Sequence, residues 1–264
     1  MIDQEETPLA GGNLSTVVRV GNTVRRTLRP WSAAVHGLLR HLETQGFDGA
    51  PRFLGIDDRG REILSFIEGE VGAYPLAPYM WSDEALVAMM RLLRHLHDAT
   101  AGYVAPADAP WQLIYPDSTR HEVICHNDVA PYNAVFVVKR PQALIDFDTA
   151  GPGPRIWDVA YAAYTFVPLA SFVPRPDGQV VPYESSLHAG ERSRRLLMLK
   201  AAYGLPMDDL LPTVERRLEA VCALLIERSE AGDTAYRRLI DDGHLDHYRH
   251  EVDFIRRHAS AWAD

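Results

Sequence analysis

The sequence predicts an α+β fold in two lobes, a small antiparallel sheet carrying one helix and then a mostly helical region, and three observations point to it. Hairpin signals with tight turns occupy residues 16–67, a single helix-period stripe interrupts them, and past Gly69 the apolar residues recur mostly at helical spacing. The expected division is residues 1–68 against residues 69–264.

Taken in order, the first hairpin joins Thr16–Val20 to Thr23–Leu28 through Gly21-Asn22, a two-residue link of the kind that closes twisted strand pairs. After Arg29-Pro30-Trp31, Ser32 is placed to cap a helix whose Val35, Leu38, Leu39 and Leu42 fall at i, i+3, i+4 and i+7, with Gly46 as its stop. A second hairpin runs over Phe53–Ile56, turns at Asp57-Asp58-Arg59-Gly60 and returns over Ile63–Ile67. Beyond a Pro- and Gly-bearing crossing at 72–78, Ser82 caps a helix with Asp83 and Glu84 at its positive end. Its stripe of Leu86, Met89, Met90, Leu93 and Leu96 faces a core. A loop through Pro106, Pro110 and Pro116 leads to a short hairpin, Asn133–Val138 and Ala143–Phe147, with its turn at 139–142. From Asp158 onward helices dominate: Val214, Leu218, Val221 and Leu225 follow Pro212, and Tyr248, Val252 and Ile255 mark the last one.

Composition narrows the function classes. The chain of 264 residues carries 27 Lys plus Arg against 36 Asp plus Glu, a net charge of −9, so no global field draws in a phosphate backbone and a nucleic-acid partner is not expected. A small cationic substrate suits this charge better. With 47% apolar and 24% charged residues the composition is that of a folded globule. Cys125 and Cys222 are the only cysteines, which gives no disulfide framework or cysteine zinc site and points to a reducing cytoplasm. The acidic start Met1–Glu6 argues against a signal peptide, and no apolar run approaches the ~18 residues that span a bilayer, so no membrane association is expected. Lys139 and Lys200 are the only lysines; arginine supplies nearly all the positive charge.

The segment Val123-Ile124-Cys125-His126-Asn127-Asp128-Val129-Ala130-Pro131-Tyr132-Asn133, followed by Ala143-Leu144-Ile145-Asp146-Phe147-Asp148, carries the chemistry. A strand delivers His-x-Asp, an Asn follows five positions after that Asp, and a hairpin returns another Asp at the end of an apolar strand. Phosphoryl transfer needs one carboxylate to orient an attacking hydroxyl and a separate oxygen cluster to hold the Mg²⁺ that neutralises nucleotide phosphates. Asp128 fits the first role, and Asn133 and Asp146 the second. A metal-dependent phosphohydrolase would need several more His and Asp ligand blocks.

These motifs resemble those of the aminoglycoside phosphotransferase family of small-molecule kinases, which share a bilobal protein-kinase-like fold, and the similarity spans most of the chain. The resemblance implies that Asp128 is the catalytic base or hydroxyl-orienting group, that Asn133 and Asp146 hold Mg²⁺, and that ATP or GTP is the donor. The acceptor would be a hydroxyl of a small molecule, nominally an aminoglycoside-like antibiotic. It makes His126 a structural member of the loop and Asp158, within Trp157-Asp158-Val159-Ala160, its buried support; an N-cap of the following helix is the other reading of Asp158. Asp148 shares a face with Asp146 if the strand stays extended, and is either an addition to the metal shell or a solvated loop carboxylate. At Asn127 the family more often carries Gly.

On the nucleotide side, the backbone N–H groups of Gly11-Gly12-Asn13-Leu14-Ser15 and the Ser15 hydroxyl are candidates to cover phosphates, although the full Gly-x-Gly-x-x-Gly pattern is absent. Kinases place a phosphate-holding lysine on the next strand, and residues 1–68 contain none. Arg26 is the natural substitute, because it shares a face with Val24 as the Lys and Ala of Val-Ala-Ile-Lys do, and a guanidinium grips phosphate bidentately. The helix that should supply its Glu partner offers Val35 and His36 and no carboxylate before Glu43, so the usual Lys–Glu pair is expected to be missing. The hinge would be Ser65-Phe66-Ile67-Glu68, with Phe66 and Ile67 presenting backbone to the base edge.

His95 and His97 point apart on their helix and suit an exposed pair, while His244, His247 and His250 drift around theirs and do not converge on a metal. Asp241, Asp242, Asp246, Glu251 and Asp253 either line an acceptor pocket that attracts an amino sugar or form a solvated helix face. The Ile145–Pro154 stretch also resembles a bacterial subgroup associated with trifolitoxin immunity, a peptide-toxin resistance function. The alternative expectation is therefore a kinase-like binding or immunity protein with little or no catalysis.

Overall fold

The computed structural model describes residues 6–9, 17–106, 108–175 and 177–263. Strands β1 (Thr7–Pro8), β2 (Val17–Val20) and β3 (Thr23–Thr27) open the chain, with Gly21 at φ 59° in the expected turn. Helix α1 (Ser32–Thr44) buries Val35, Leu38, Leu39 and Leu42, and β4 (Phe53–Ile56) and β5 (Arg61–Ser65) complete an antiparallel sheet of order β1-β2-β3-β5-β4. Helical geometry already begins at Trp31, which takes the N-cap position in place of Ser32; the Ser32 Oγ accepts the Arg29 N–H at 2.9 Å instead.

The chain then crosses through β6 (Glu70–Val71) to α2 (Asp83–Thr100), whose cap is as expected: Ser82 Oγ accepts the Ala85 N–H at 3.1 Å. Strand β7 (Val123–Cys125) precedes the hairpin β8 (Ala134–Val137) and β9 (Arg140–Leu144). That hairpin turns at Val138-Lys139, not at 139–142, because Val137 pairs with Arg140 and both turn residues take positive φ, 49° and 63°. A short strand β10 (Gly151–Gly153) pairs antiparallel with β7. Gly151 is needed there because a Cβ would stand 1.7 Å from the Leu113 carbonyl oxygen.

Helix α3 (Arg155–Phe166) is almost wholly buried, the hairpin β11 (Phe172–Pro174) with β12 (Val180–Pro182) follows, and α4 (Ser185–Tyr203), α5 (Leu210–Glu230), α6 (Thr234–Asp241) and α7 (His244–His258) finish the second lobe. One apolar core runs through both lobes, from Leu39 and Leu64 to Leu93, Phe136, Leu144 and Ile255. The Leu144 N–H also donates to the Gly49 carbonyl at 2.9 Å, fixing the end of β9, two residues before Asp146, against the first lobe. Among the described residues no helix is long and apolar enough to cross a membrane.

Candidate active site

The loop after β7 is hung from one carboxylate. Asp158, on the first turn of α3 and fully buried, accepts the backbone N–H of His126 at 2.6 Å and of Asn127 at 2.7 Å, and the Nε2 of His97 at 3.1 Å. Burial alone would raise its pKa; the hydrogen bond and charge of His97 and the bond from His126 outweigh that and hold it below the ordinary carboxylate value. Pro154, not Asp158, is the helix N-cap, so of the two readings of Asp158 the buried support stands. His97 is correspondingly no exposed residue: it is wedged between Asp158 and the Tyr203 hydroxyl, 2.7 Å away, and only His95 faces out. Cys125 joins them within 4.8 Å, but the Asp158 oxygens are taken up by hydrogen bonds and burial keeps the thiol protonated, so this is a structural cluster.

Held this way, the loop turns sharply. Asn127 sits at φ 66°, and its Nδ2 donates to the Thr149 carbonyl at 2.9 Å. His126 donates from Nε2 to the Ile145 carbonyl at 2.9 Å, which leaves Nδ1 to accept the Asp128 N–H at 3.3 Å. Both carboxylate oxygens of Asp128 are then fixed: Tyr132 Oη donates to Oδ1 at 2.7 Å and Asn133 Nδ2 to Oδ2 at 2.8 Å. Committing the amide nitrogen to Asp128 leaves the Asn133 oxygen as the end able to ligate a cation. Burial pushes the Asp128 carboxyl above the ordinary value, and the charge of Asp146 adds to it, against the Tyr132 hydrogen bond and the charges of His126 and Arg217. The Ile145 N–H donates to the Asn133 carbonyl at 2.9 Å, which ties the chain just before Asp146 to the end of the Asp128 loop.

Asp146 itself takes a left-handed backbone, φ 62°, and leads into a 3-10 turn over Phe147–Thr149. The strand is therefore not extended between Asp146 and Asp148, yet the turn brings both to one partner. Arg26 on β3 donates Nη1 to Asp146 at 3.0 Å and Nη2 to Asp148 at 2.5 Å. Asp148 is thus no solvated loop carboxylate: its side chain is 15% exposed, against 50% for Asp146.

The third donor of Arg26, Nε, bonds Glu62, a residue absent from the sequence reading. The expectation of a missing pair holds for α1, which supplies no carboxylate, but not for the arginine: a Glu arrives from β5, directly opposite Arg26 in the ladder. The position where a helical Glu was sought is filled by His36, whose Nε2 donates to the other Glu62 oxygen at 2.6 Å while its ring stacks on Phe53 at 3.7 Å. Alternation of side chains along paired strands was the available signal for Glu62.

Phe66 and Ile67 directly follow β5. The Phe66 N–H is occupied by the Asn22 carbonyl at 2.9 Å and its ring by Arg19, whose Cζ stands 3.7 Å from the centroid. The backbone of Ile67 makes no backbone hydrogen bond among the described residues. Ser15 and its glycines lie outside the described residues.

The acidic residues of the C-terminal region do not gather at Asp128. Glu251 is fully buried and accepts the N–H and hydroxyl of Ser171, Asp246 and Asp253 face Arg249 and Arg256 on their own helix, and Asp241 and Asp242 are exposed. Tyrosines stand at Asp128 instead, with Tyr132 Oη 3.1 Å from Tyr161 Oη and that in turn 3.1 Å from Tyr248 Oη. Arg217 of α5 donates to the Asn127 carbonyl behind the loop. A cavity of about 260 Å³ beside Lys200, Leu211 and Trp262 shares none of these residues.

The oxygen set of Asn133, Asp146 and Asp148 fits a hard divalent cation such as Mg²⁺, which takes carboxylate and amide oxygens. The sequence model of the phosphotransferase enzyme family, APH, matches residues 89–197, which contain this loop. The trifolitoxin immunity protein of Rhizobium leguminosarum bv. trifolii is 43% identical over 164 residues; the match covers 61% of this chain and 61% of that protein, less than two thirds of its length. Among solved structures, the streptomycin-ATP-APH(2")-IIa ternary complex superposes with a TM-score of 0.57 at 12% identity over 96% of this chain and 94% of that one. A choline/ethanolamine kinase family protein from Mesorhizobium loti gives 0.53 at 16% identity, over 99% and 89%.

Proposed function

We propose that this chain, a member of the phosphotransferase enzyme family over the residues 89–197 that match it, is a Mg²⁺-dependent small-molecule kinase that moves the γ-phosphate of ATP or GTP to an alcohol. The observation that carries the reading is the convergence of Asp128 with Asn133 on one side and of Asp146 with Arg26 on the other, linked through Ile145, whose N–H donates to the Asn133 carbonyl at 2.9 Å and whose carbonyl accepts from His126 Nε2 at 2.9 Å. Residues 1–68 would hold the nucleotide, with its base at Phe66 and Ile67, and residues 69–264 the catalytic loop and acceptor. Two free cysteines, Cys125 and Cys222, suit a cytoplasmic protein.

In this reading Asn133, Asp146 and Asp148 would hold Mg²⁺, which supplies charge neutralisation for the β- and γ-phosphates. Asp128, oriented by Tyr132 and Asn133, accepts the proton of the attacking hydroxyl, and its raised pKa makes it a better acceptor than an ordinary aspartate. Arg26 grips phosphate oxygens in place of the kinase lysine, with Glu62 and His36 fixing its plane. Asp158 and His126 keep the loop in its turn.

Transfer is tested by mass spectrometry for a phosphorylated product over a panel of aminoglycosides, other antibiotics and metabolites, with ATP and with GTP. Asp128→Ala is expected to lower transfer by about a hundred- to ten-thousandfold while calorimetry still shows nucleotide binding; undiminished transfer overturns the assignment. The 43% identity to an immunity protein favours a second reading, a kinase-like binder that protects without catalysis. Protection by Asp128→Ala equal to that by the unaltered chain, in cells challenged with a toxin, would decide for it.

A further inference from the structure

We infer that Arg217 of α5 is a positioning residue for the transfer step: it clamps the peptide group that leads into Asp128 and so fixes where that carboxylate meets the attacking hydroxyl. The inference rests on the phosphotransferase reading above and adds to it a residue from outside the catalytic loop.

Arg217 lies where a helix of this pattern carries apolar side chains. Thr213, Val214 and Leu218 are buried around it on the inward face of α5, while its neighbour Arg216 is exposed. Its guanidinium stands between two rings of α3, with Cζ 5.4 Å from the Trp157 centroid and 4.9 Å from that of Tyr161. Among the described residues no carboxylate forms a salt bridge with it, and its Nε is buried without a hydrogen-bond partner. A buried cation left partly unpartnered is a cost to the fold. Methionine would fill the space between the rings without that cost, so packing does not ask for an arginine here.

The Asn127 carbonyl does. Two peptide groups lead into Asp128, joined at the α-carbon of Asn127, whose φ of 66° turns one sharply against the other. The first is fixed at both ends: Asp158 accepts the Asn127 N–H at 2.7 Å, and the Thr149 hydroxyl donates to the His126 carbonyl at 2.9 Å. The second, which carries the Asp128 N–H, has that N–H on His126 Nδ1 at 3.3 Å and its carbonyl on Arg217 Nη2. The bond to His126 is long and spans two residues of the same loop, whereas the guanidinium bond is charge-assisted and comes from another helix. Tyr132 and Asn133, which hold the two carboxylate oxygens, also belong to the loop and move with it. Arg217 therefore ties the Asp128 backbone to the helical lobe, as Asp158 ties the residues before it.

The test compares Arg217→Met, which removes the donor, with Arg217→Lys, which keeps one. Transfer from ATP and from GTP is measured to the fastest acceptor of the panel above, with water as acceptor where the panel yields none. Arg217→Met is expected to lower kcat by at least about tenfold while nucleotide Kd and acceptor KM stay within about twofold, and Arg217→Lys to recover most of the loss. In the nucleotide-free chain, hydrogen exchange at the Asp128 amide should speed up by about tenfold or more in the methionine variant and not in the lysine one. Arg217→Gln, too short to reach the carbonyl, takes the place of methionine if that variant does not fold. An unchanged kcat overturns the inference, as does a loss in which Kd and KM move with kcat, the mark of an arginine that merely holds the core. A lysine variant no better than the methionine one also overturns it. Unchanged exchange at Asp128 overturns it alone; an unaltered chain that transfers nothing overturns the phosphotransferase reading beneath it, whatever the exchange shows.

Discussion

Glu62 on β5 stands directly opposite Arg26 on β3, and the oxygen that Arg26 does not use accepts the Nε2–H of His36 at 2.6 Å. A strand carboxylate, a strand guanidinium and a helix imidazole thus stand together where the sequence led to the expectation of a missing pair: α1 has no acid before Glu43, and the acid comes from the neighbouring strand.

Glu62→Leu is expected to destabilise the chain by about 3 kcal/mol, because it strands the buried Arg26 and His36 without their shared acceptor. Chemical denaturation measures it. The same residue gives a pH dependence. Burial pushes Glu62 up, but the hydrogen bond from His36 and the charge of Arg26 prevail and lower it from its ordinary 4.5. A depressed folded pKa contributes stability that is complete above the unfolded value and is lost as pH falls through the folded one. The unaltered chain should therefore lose stability on acidification below about pH 4.5 more steeply than Glu62→Gln does.

Asp158→Asn is expected to cost about 3 kcal/mol or more, since an amide nitrogen must face at least one of the three donors that the carboxylate now accepts. The thermal midpoint should fall, and backbone amide exchange at His126 and Asn127 should accelerate. Unaltered protection at those amides would remove Asp158 as the anchor of the loop.

Much of this arrangement was legible in the sequence because it is local. His126, Asp128 and Asn133 fall within one turn-rich segment, and the hairpin that returns Asp146 is short, so spacing alone brought them together. The Gly21-Asn22 turn and the stripes of α1 and α2 were legible for the same reason: period and turn chemistry need no tertiary partner. What stayed hidden depended on distant elements. Glu62 entered no sequence reading, because only the ladder puts it opposite Arg26. His97 looked exposed because its spacing from His95 says nothing of Asp158, which arrives from another helix. The acidic residues near the C-terminus were readable as charge but not as geometry, since Glu251 lies inward and its neighbours outward on one helix.

Asn127 tests the turn itself. At φ 66° a side chain with a β-carbon costs about 1–2 kcal/mol, and Asn offsets part of that through its Nδ2 bond to Thr149. Asn127→Ala keeps the strain and loses the bond, whereas Asn127→Gly loses the bond and removes the strain. Alanine should therefore be the more damaging of the two, by about 1 kcal/mol in denaturation.

Arg26 gives a prediction of opposite signs. Without nucleotide it is held by Asp146 and Asp148, two of the three residues assigned to Mg²⁺, so the cation has to displace the guanidinium to reach them. Arg26→Gln removes that competitor, and calorimetry with Mg²⁺ alone should show tighter binding than the unaltered chain, by about tenfold. The same change removes the phosphate partner, and Mg²⁺ with ATP should bind more weakly, by about tenfold or more. A merely structural arginine would move both affinities the same way by loosening the sheet. Divergence of the two therefore identifies Arg26 as the group that exchanges carboxylate for phosphate when nucleotide arrives.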